Sequence, residues 1–321
     1  MKKIVFFSGI IALLVTIALV AWRFNSAMIR AREHVAQGSV LVKTRCGQIE
    51  YQEAGTGVPL LVVHGSGGGH DQVMAFAGSL ASHGIRVIAM SRFGYLRTQM
   101  PADSSAAAQA DAHVCLLDAL GIAKAAIMGG SAGAPSAIQM AIRHPERVSA
   151  LVLIVPLTYK PPARTASAPP MNPKVEKLMM RAIGSDFLFW AGAHIARDSL
   201  IKNVLATPPE LLANASPAER ARVLAMLENI LPVSARAAGL LSDTAASKHL
   251  EPVALTSIRA PTLIISARDD RYGTYASAQY AASQIPGAKF VGFETGGHTW
   301  VGHNDEVMAE IVKLLLPPRL H

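Results

Sequence analysis

Residues 124–144 read KAAIMGGSAGAPSAIQMAIRH: an apolar run ends in Gly129-Gly130-Ser131-Ala132-Gly133, and a helix-like run follows. This is the strand, sharp turn and helix setting in which a GxSxG turn presents a serine. A serine hydroxyl is a weak nucleophile unless it is held clear of its neighbours and given a base. Small flanking residues let the backbone turn tightly enough to do the first. Ser131 is therefore the first candidate nucleophile. Taken alone, the motif also fits an ordinary glycine-rich strand-to-helix turn.

Working outward, the same alternation recurs. Strands are expected at VLVKT, QIEYQEA, LLVVH, RVIAMS, AAIMGG and ALVLIVP, the last ending at Pro156, and again at PTLIISA and KFVGF. Helices are expected at 71–82, 106–120, after Ser131, at 275–283 and at 305–316. Apolar strands alternating with helices imply a mostly parallel, doubly wound α/β sheet covered on both faces. Between Leu157 and Arg259 the pattern changes to helical runs (VEKLMMRAI, FLFWAGAHI, ARVLAMLENI) opened by the Pro- and Ala-rich PPARTASAPP. We read this stretch as an inserted helical cap over the carboxyl ends of the strands. Its Met179, Met180, Ile183, Phe187, Phe189 and Trp190 either line a substrate pocket or form the cap's own core.

With 321 residues, 51% of them hydrophobic, the chain can bury a full core. The net charge of +8 does not point to nucleic acid, because Lys and Arg are scattered without a dense basic run. Basic residues do gather around the N-terminal apolar stretch, with Lys2 and Lys3 before it and Arg23, Arg30 and Arg32 after it, a placement suited to lipid headgroups. Ile4–Trp22 carries no charge and approaches the roughly 20 residues that cross a bilayer. Trp22-Arg23-Phe24, where a cleaved signal would show small residues, favours an uncleaved single-pass anchor. A short basic N-terminus commonly stays cytoplasmic, which would put the globular part on the non-cytoplasmic side, although the flanking charges are nearly balanced. The division expected is an anchor at 1–24, a polar helical stalk at 25–39, a core at 40–156 and 260–321, and the cap at 157–259. Cys46 and Cys115 lack metal-ligand spacing and are read as buried thiols whose pairing depends on compartment.

Activating Ser131 needs a base, and a base held in one tautomer needs an acid behind it. The loop after PTLIISA carries Asp269 and Asp270, and the loop after KFVGF carries Gly296-Gly297-His298. Both loops leave the carboxyl ends of strands, on the sheet edge that holds the serine turn.

Four motifs in this order, His64-Gly65-Ser66-Gly67-Gly68-Gly69, the serine turn, the acid loop and the Gly-His turn, give the chain a resemblance to the α/β-hydrolase fold superfamily from about Val40 onward. The resemblance implies a Ser131–His298–Asp270 triad, with Asp269 as the alternative acid because the family's Gly-x-x-Asp is Ala267-Arg268-Asp269-Asp270 here. It also implies an oxyanion hole from the backbone N–H groups of Ala132 and Ser66, and a mainly structural His64. Ser91-Arg92-Phe93-Gly94-Tyr95 departs from the family's Asp-led loop. Arg92 and Arg97 either bind an anionic substrate group or are salt-bridged or solvated, and His303 is expected to cap the last helix or face solvent.

The activity expected is acyl-enzyme hydrolysis of an apolar ester or related carbonyl substrate. The alternatives are carbon–carbon hydrolysis of diketones, whose enzymes the HGSGGG loop alone resembles, and a non-catalytic binding protein on the same scaffold. No cofactor or metal is expected: the glycine-rich loop lacks the third glycine of GxGxxG, and no HExxH or ligand cluster occurs.

Overall fold

A computed structural model describes residues 2–160, 184–248 and 250–317. The apolar runs become β1 (Val40–Thr44), β2 (Gly47–Ala54), β3 (Val58–Val63), β4 (Ile85–Met90), β5 (Ala125–Gly130), β6 (Val148–Ile154), β7 (Thr262–Ala267) and β8 (Lys289–Phe293). They form one sheet in the order β1-β2-β4-β3-β5-β6-β7-β8. β2 is antiparallel to both of its neighbours, and the remaining pairs are parallel.

The central strands read as unbroken apolar runs because successive side chains enter opposite cores. Leu61, Val63, Ile127, Leu151 and Ile264 pack on one face with α3 (Ala106–Ala119), α4 (Ala134–Arg143) and α10 (Thr274–Gln284). Leu60, Val62, Met128, Val152 and Ile265 pack on the other with α2 (His70–Ala77) and α11 (Asn304–Leu315). Each such side chain contributes roughly 1.5–3 kcal/mol by leaving water. The helix expected over 71–82 is split, with α2 giving way to a 3₁₀ segment at Gly78–His83.

Between β6 and β7 the described residues contain α5 (Asp186–Ile195), α6 (Arg197–Asn203), α7 (Pro209–Asn214), α8 (Pro217–Glu228) and α9 (Ala237–Ser247), with no strand among them. Phe189 and Trp190 are buried in a cluster with Ile201, Leu212, Val223 and Leu227, while Phe187 remains partly exposed. Phe189 and Trp190 thus belong to the core of this helical segment. Met179, Met180 and Ile183 lie outside the described residues.

Residues 25–36, expected as a polar helical stalk, are helical, and α1 (Lys2–Ala36) runs unbroken through the apolar stretch and docks by one face on the helices between β6 and β7. Phe24, Ala27, Met28 and Ala31 fall on one face at helical spacing, and Met28 is only 2% exposed. The segment reads as polar because Asn25, Arg30, Arg32 and Glu33 occupy its outer positions. The cysteines are not thiols: Cys46, exposed in the β1–β2 turn, is disulfide-bonded to the buried Cys115 of α3.

Candidate active site

The serine turn follows β5 directly, and Ser131 sits at φ +48°, a left-handed conformation that costs a non-glycine residue energy. Tight packing holds it there. A Cβ at Gly133 would stand 2.5 Å from the Val63 carbonyl oxygen and 2.6 Å from that of His64, so the turn lies flush against the end of β3. A Cβ at Gly65 would stand 2.9 Å from Ser131 Cβ, so the HGSGGG loop passes beside the serine. Ala132 is the second residue of the short helical turn Ser131–Gly133 that leads into α4, where the first backbone N–H groups have no acceptor inside the helix.

The loops after β7 and β8 meet at the same sheet edge. His298 Nδ1 lies 2.8 Å from Asp270 Oδ2, and the carboxylate also accepts from the Tyr272 backbone N–H (2.9 Å) and the Thr274 hydroxyl. Burial alone would raise the Asp270 carboxyl, but these partners, His298 foremost, outweigh it and hold its pKa below the ordinary carboxylate value. Asp269 points elsewhere: it accepts the backbone N–H groups of Gly296 (3.2 Å) and Gly297 (2.8 Å), and so holds the turn that carries His298. The Tyr272 ring meets the imidazole edge-on at 4.9 Å. Among the described residues the hydrogen bond of the His298 ring is to Asp270, and the Ser131 hydroxyl makes none to it. Nucleophile-to-base contacts often tighten only when substrate binds.

The HGSGGG loop is fixed from below and above. His64 is fully buried; its Nδ1–H donates to the Gly65 carbonyl (2.7 Å) and its Nε2 accepts the Arg92 backbone N–H (2.9 Å). Burial first, and then the Arg92 charge, holds its pKa well below the ordinary histidine value, so the ring is a neutral strut. From the cap, Asp243 of α9 accepts Ser66 Oγ (2.9 Å), Tyr95 OH (2.6 Å) and two Arg92 guanidinium nitrogens (3.0 and 2.6 Å). Arg236, fully buried at the start of α9, donates to the Gly68 carbonyl and forms a bidentate pair with Asp71 at 3.2 and 2.7 Å. Ionic links of opposite polarity to Arg92 and Asp71, with hydrogen bonds to Ser66 and Gly68, therefore staple the helical segment between β6 and β7 to the loop and its flanks. Arg97 pairs with Glu50 at 2.6 Å. His303 sits at the start of α11 without a side-chain capping bond, its ring stacked on Phe293 at 3.9 Å.

The structure thus brings His298, Asp270 and Asp269 into one cluster and sets Gly65 against Ser131. Asp243, Arg236, Thr274 and Tyr272 escaped the sequence reading. For Thr274 and Tyr272 there was a signal, since both follow Asp270 within four residues. Asp243 is separated from Tyr95 and Ser66, and Arg236 from Asp71, by 148 residues or more, and neither carries a motif. Among the described residues no group of three or more His, Cys, Asp or Glu side chains is placed to hold a metal ion.

A family model of the alpha/beta hydrolase fold matches residues 58–301. A 2-hydroxymuconate semialdehyde hydrolase of Pseudomonas putida is 42% identical over 105 residues, which are 32% of this chain and only 37% of that enzyme. A 2-hydroxy-6-oxononadienedioate/2-hydroxy-6-oxononatrienedioate hydrolase of Burkholderia vietnamiensis (strain G4 / LMG 22486) is 29% identical over 238 residues, 70% of this chain and 75% of that one. Among solved structures, an alpha/beta hydrolase fold protein from Nakamurella multipartita matches with a TM-score of 0.70 at 29% identity, covering 86% of this chain and 98% of that one.

Proposed function

Because the chain belongs to the alpha/beta hydrolase fold family, we propose that it is a serine hydrolase working through an acyl-enzyme on a neutral carboxylic ester or related carbonyl compound. Ser131 Oγ attacks the carbonyl carbon while His298 Nε2 takes its proton. Asp270 fixes the Nδ1–H tautomer and steadies the imidazolium that results. The N–H groups of Ala132 and Ser66 receive the oxyanion. The tetrahedral intermediate collapses, His298 returns the proton to the departing alkoxide, and water repeats the sequence to release the acid. The observation that carries this reading is the 2.8 Å contact of His298 Nδ1 with Asp270, on the sheet edge where Ser131 is held at φ +48°.

The second reading, carbon–carbon hydrolysis, is favoured by the names of the relatives, whose substrates include dicarboxylates. Against it, the two arginines buried beside the HGSGGG loop are already neutralised, Arg92 by Asp243 and Arg236 by Asp71. A substrate carboxylate would gain nothing from either, whereas a neutral ester needs no counter-ion. We also infer that residues 1–24 are a retained membrane anchor, that 157–259 are a cap on a core of 40–156 and 260–321, and that the core lies on the non-cytoplasmic side. The unbroken docked helix supports the first of these, and the Cys46–Cys115 disulfide, a bond of oxidising compartments, supports the last.

The test is covalent labelling of the detergent-solubilised chain with a fluorophosphonate, together with turnover of p-nitrophenyl esters and of a vinylogous 1,5-diketone. Labelling and ester turnover that both vanish in Ser131→Ala and His298→Ala are expected. Diketone turnover without ester turnover would shift the assignment to the second reading, and no labelling of folded protein would refute the serine mechanism.

A further inference from the structure

Where α1 emerges from its apolar stretch, it and the helices between β6 and β7 border an open cavity of about 640 Å³, within the roughly 300–1,000 Å³ of small-molecule sites. Three arginines line it, Arg23 and Arg30 from α1 and Arg197 from α6, with His34 and His194 nearby and Glu228 as the single lining carboxylate. Among the described residues Arg23 and Arg30 make no hydrogen bond or ion pair with protein, and Arg197 makes only a 3.3 Å bond to the Ala193 carbonyl. Three guanidinium groups, unpaired among the described residues and bordering one hollow, give it a positive potential that favours an anion. A phosphate, which accepts forked N–H pairs and is far less costly to hold at a wet surface than in a core, suits them best.

The position of the cavity identifies the source of that phosphate. Ile4–Trp22 is about 28 Å of helix at 1.5 Å per residue, close to the roughly 30 Å hydrocarbon thickness of a bilayer. The cavity begins at Trp22 and Arg23, at the depth where a membrane places aromatic rings and headgroups. The neighbouring helix α5 leaves Phe187, Leu188 and Ile195 exposed at 44%, 52% and 86%, and the Phe187 ring packs on Phe24 at 5.3 Å. The cap is thereby set at the same level with apolar side chains facing outward, as interfacial helices are.

We propose that this cavity binds the headgroup phosphate of an anionic phosphoglyceride from the adjoining leaflet, its acyl chains lying along the apolar part of α1. The bound lipid would tie anchor and cap together at a site separate from Ser131. The inference rests on the reading of α1 as a retained anchor, which is tested first by alkaline carbonate extraction and intact mass of the full chain.

The full chain, delipidated in mild detergent, is then titrated with phosphatidylglycerol, phosphatidylcholine or inorganic phosphate and followed by native mass spectrometry. Wild type is compared with Arg30→Gln/Arg197→Gln. One phosphatidylglycerol per chain, retained about tenfold or more over phosphatidylcholine and lost by a similar factor in the double variant, is the expected result. Equal retention of the two lipids, or equal retention by wild type and a variant that keeps its circular dichroism and melting temperature, would overturn the proposal. Phosphate binding as tight as that of phosphatidylglycerol, and equally lost in the variant, would assign the site to a soluble anion and overturn the lipid. If the double variant does not fold, Arg30→Gln alone, on an exposed helix face, carries the same comparison. A chain that carbonate releases, or whose mass lacks α1, defeats the anchor reading and the proposal with it.

Discussion

Replacing Asp243 with leucine should destabilise the protein far more than its place in a helix between β6 and β7 suggests. The carboxylate is 7% exposed and is the counter-charge of Arg92, itself 8% exposed, while also accepting Tyr95 OH and Ser66 Oγ. Removing one partner of a buried ion pair leaves the other uncompensated and costs about 3–5 kcal/mol. That is a large share of the roughly 5–15 kcal/mol that stabilises a folded domain. Removing both partners is different: in Asp243→Leu/Arg92→Met no charge is left buried, and the loss should be only about 1–2 kcal/mol. With the single variants Asp243→Leu and Arg92→Met each costing about 3–5 kcal/mol, the double-mutant cycle should therefore give a coupling of about 4 kcal/mol or more in urea unfolding of the solubilised protein, followed by tryptophan fluorescence. Kinetics supply a second readout. Loss of the tether on Ser66 should lower kcat for a small ester with little change in KM, because a loosened oxyanion donor weakens transition-state binding selectively. Single-variant costs that add to within about 0.5 kcal/mol would refute the argument that the pair acts as a unit.

Asp270→Asn should lower kcat by about 10⁴, since an amide no longer fixes the productive imidazole tautomer. Asp269→Asn should cost much less, because the amide oxygen can still accept the Gly297 N–H; equal losses in the two variants would reverse the assignment of the acid. Stability should also fall on mild acidification. His113 is fully buried, its Nε2 3.0 Å from Ser136 Oγ and its Nδ1 without a partner, and burial, then Arg92, pushes its pKa down to about 3. The unfolded chain takes up a proton near pH 6.5 that the folded chain refuses, so stability present above that pH is lost as pH falls from about 6.5 toward 3. His113 alone should contribute about 1.4 kcal/mol of loss between pH 7.5 and 5.5, and buried His64 acts in the same direction. Urea midpoints across that range should move less in His113→Gln; an identical pH dependence would show that the histidine titrates freely.

The strands, the serine turn and the family were legible in the sequence because they are local: an apolar run of strand length and a Gly-x-Ser-x-Gly turn carry their meaning within a few neighbours. The pair Asp269-Asp270 was legible as a pair. Which of the two faces His298 was decided only when the loops after β7 and β8 met, where one carboxylate reached the imidazole and the other the backbone N–H groups of the turn. The docking of residues 24–31 was not legible, because a helix face that packs on distant helices looks polar when its exposed residues are charged, as Arg30, Arg32 and Glu33 are. Cys46 and Cys115, 69 residues apart, gave no sign of pairing, and neither did Asp243 with Arg92 nor Arg236 with Asp71. Chain order and residue type alone determined the scaffold and the candidate nucleophile, base and acid loop. The stapling of the cap to the HGSGGG loop, and the cavity beside α1, arise from contacts between segments far apart in the chain, and only packing in three dimensions brings those segments together.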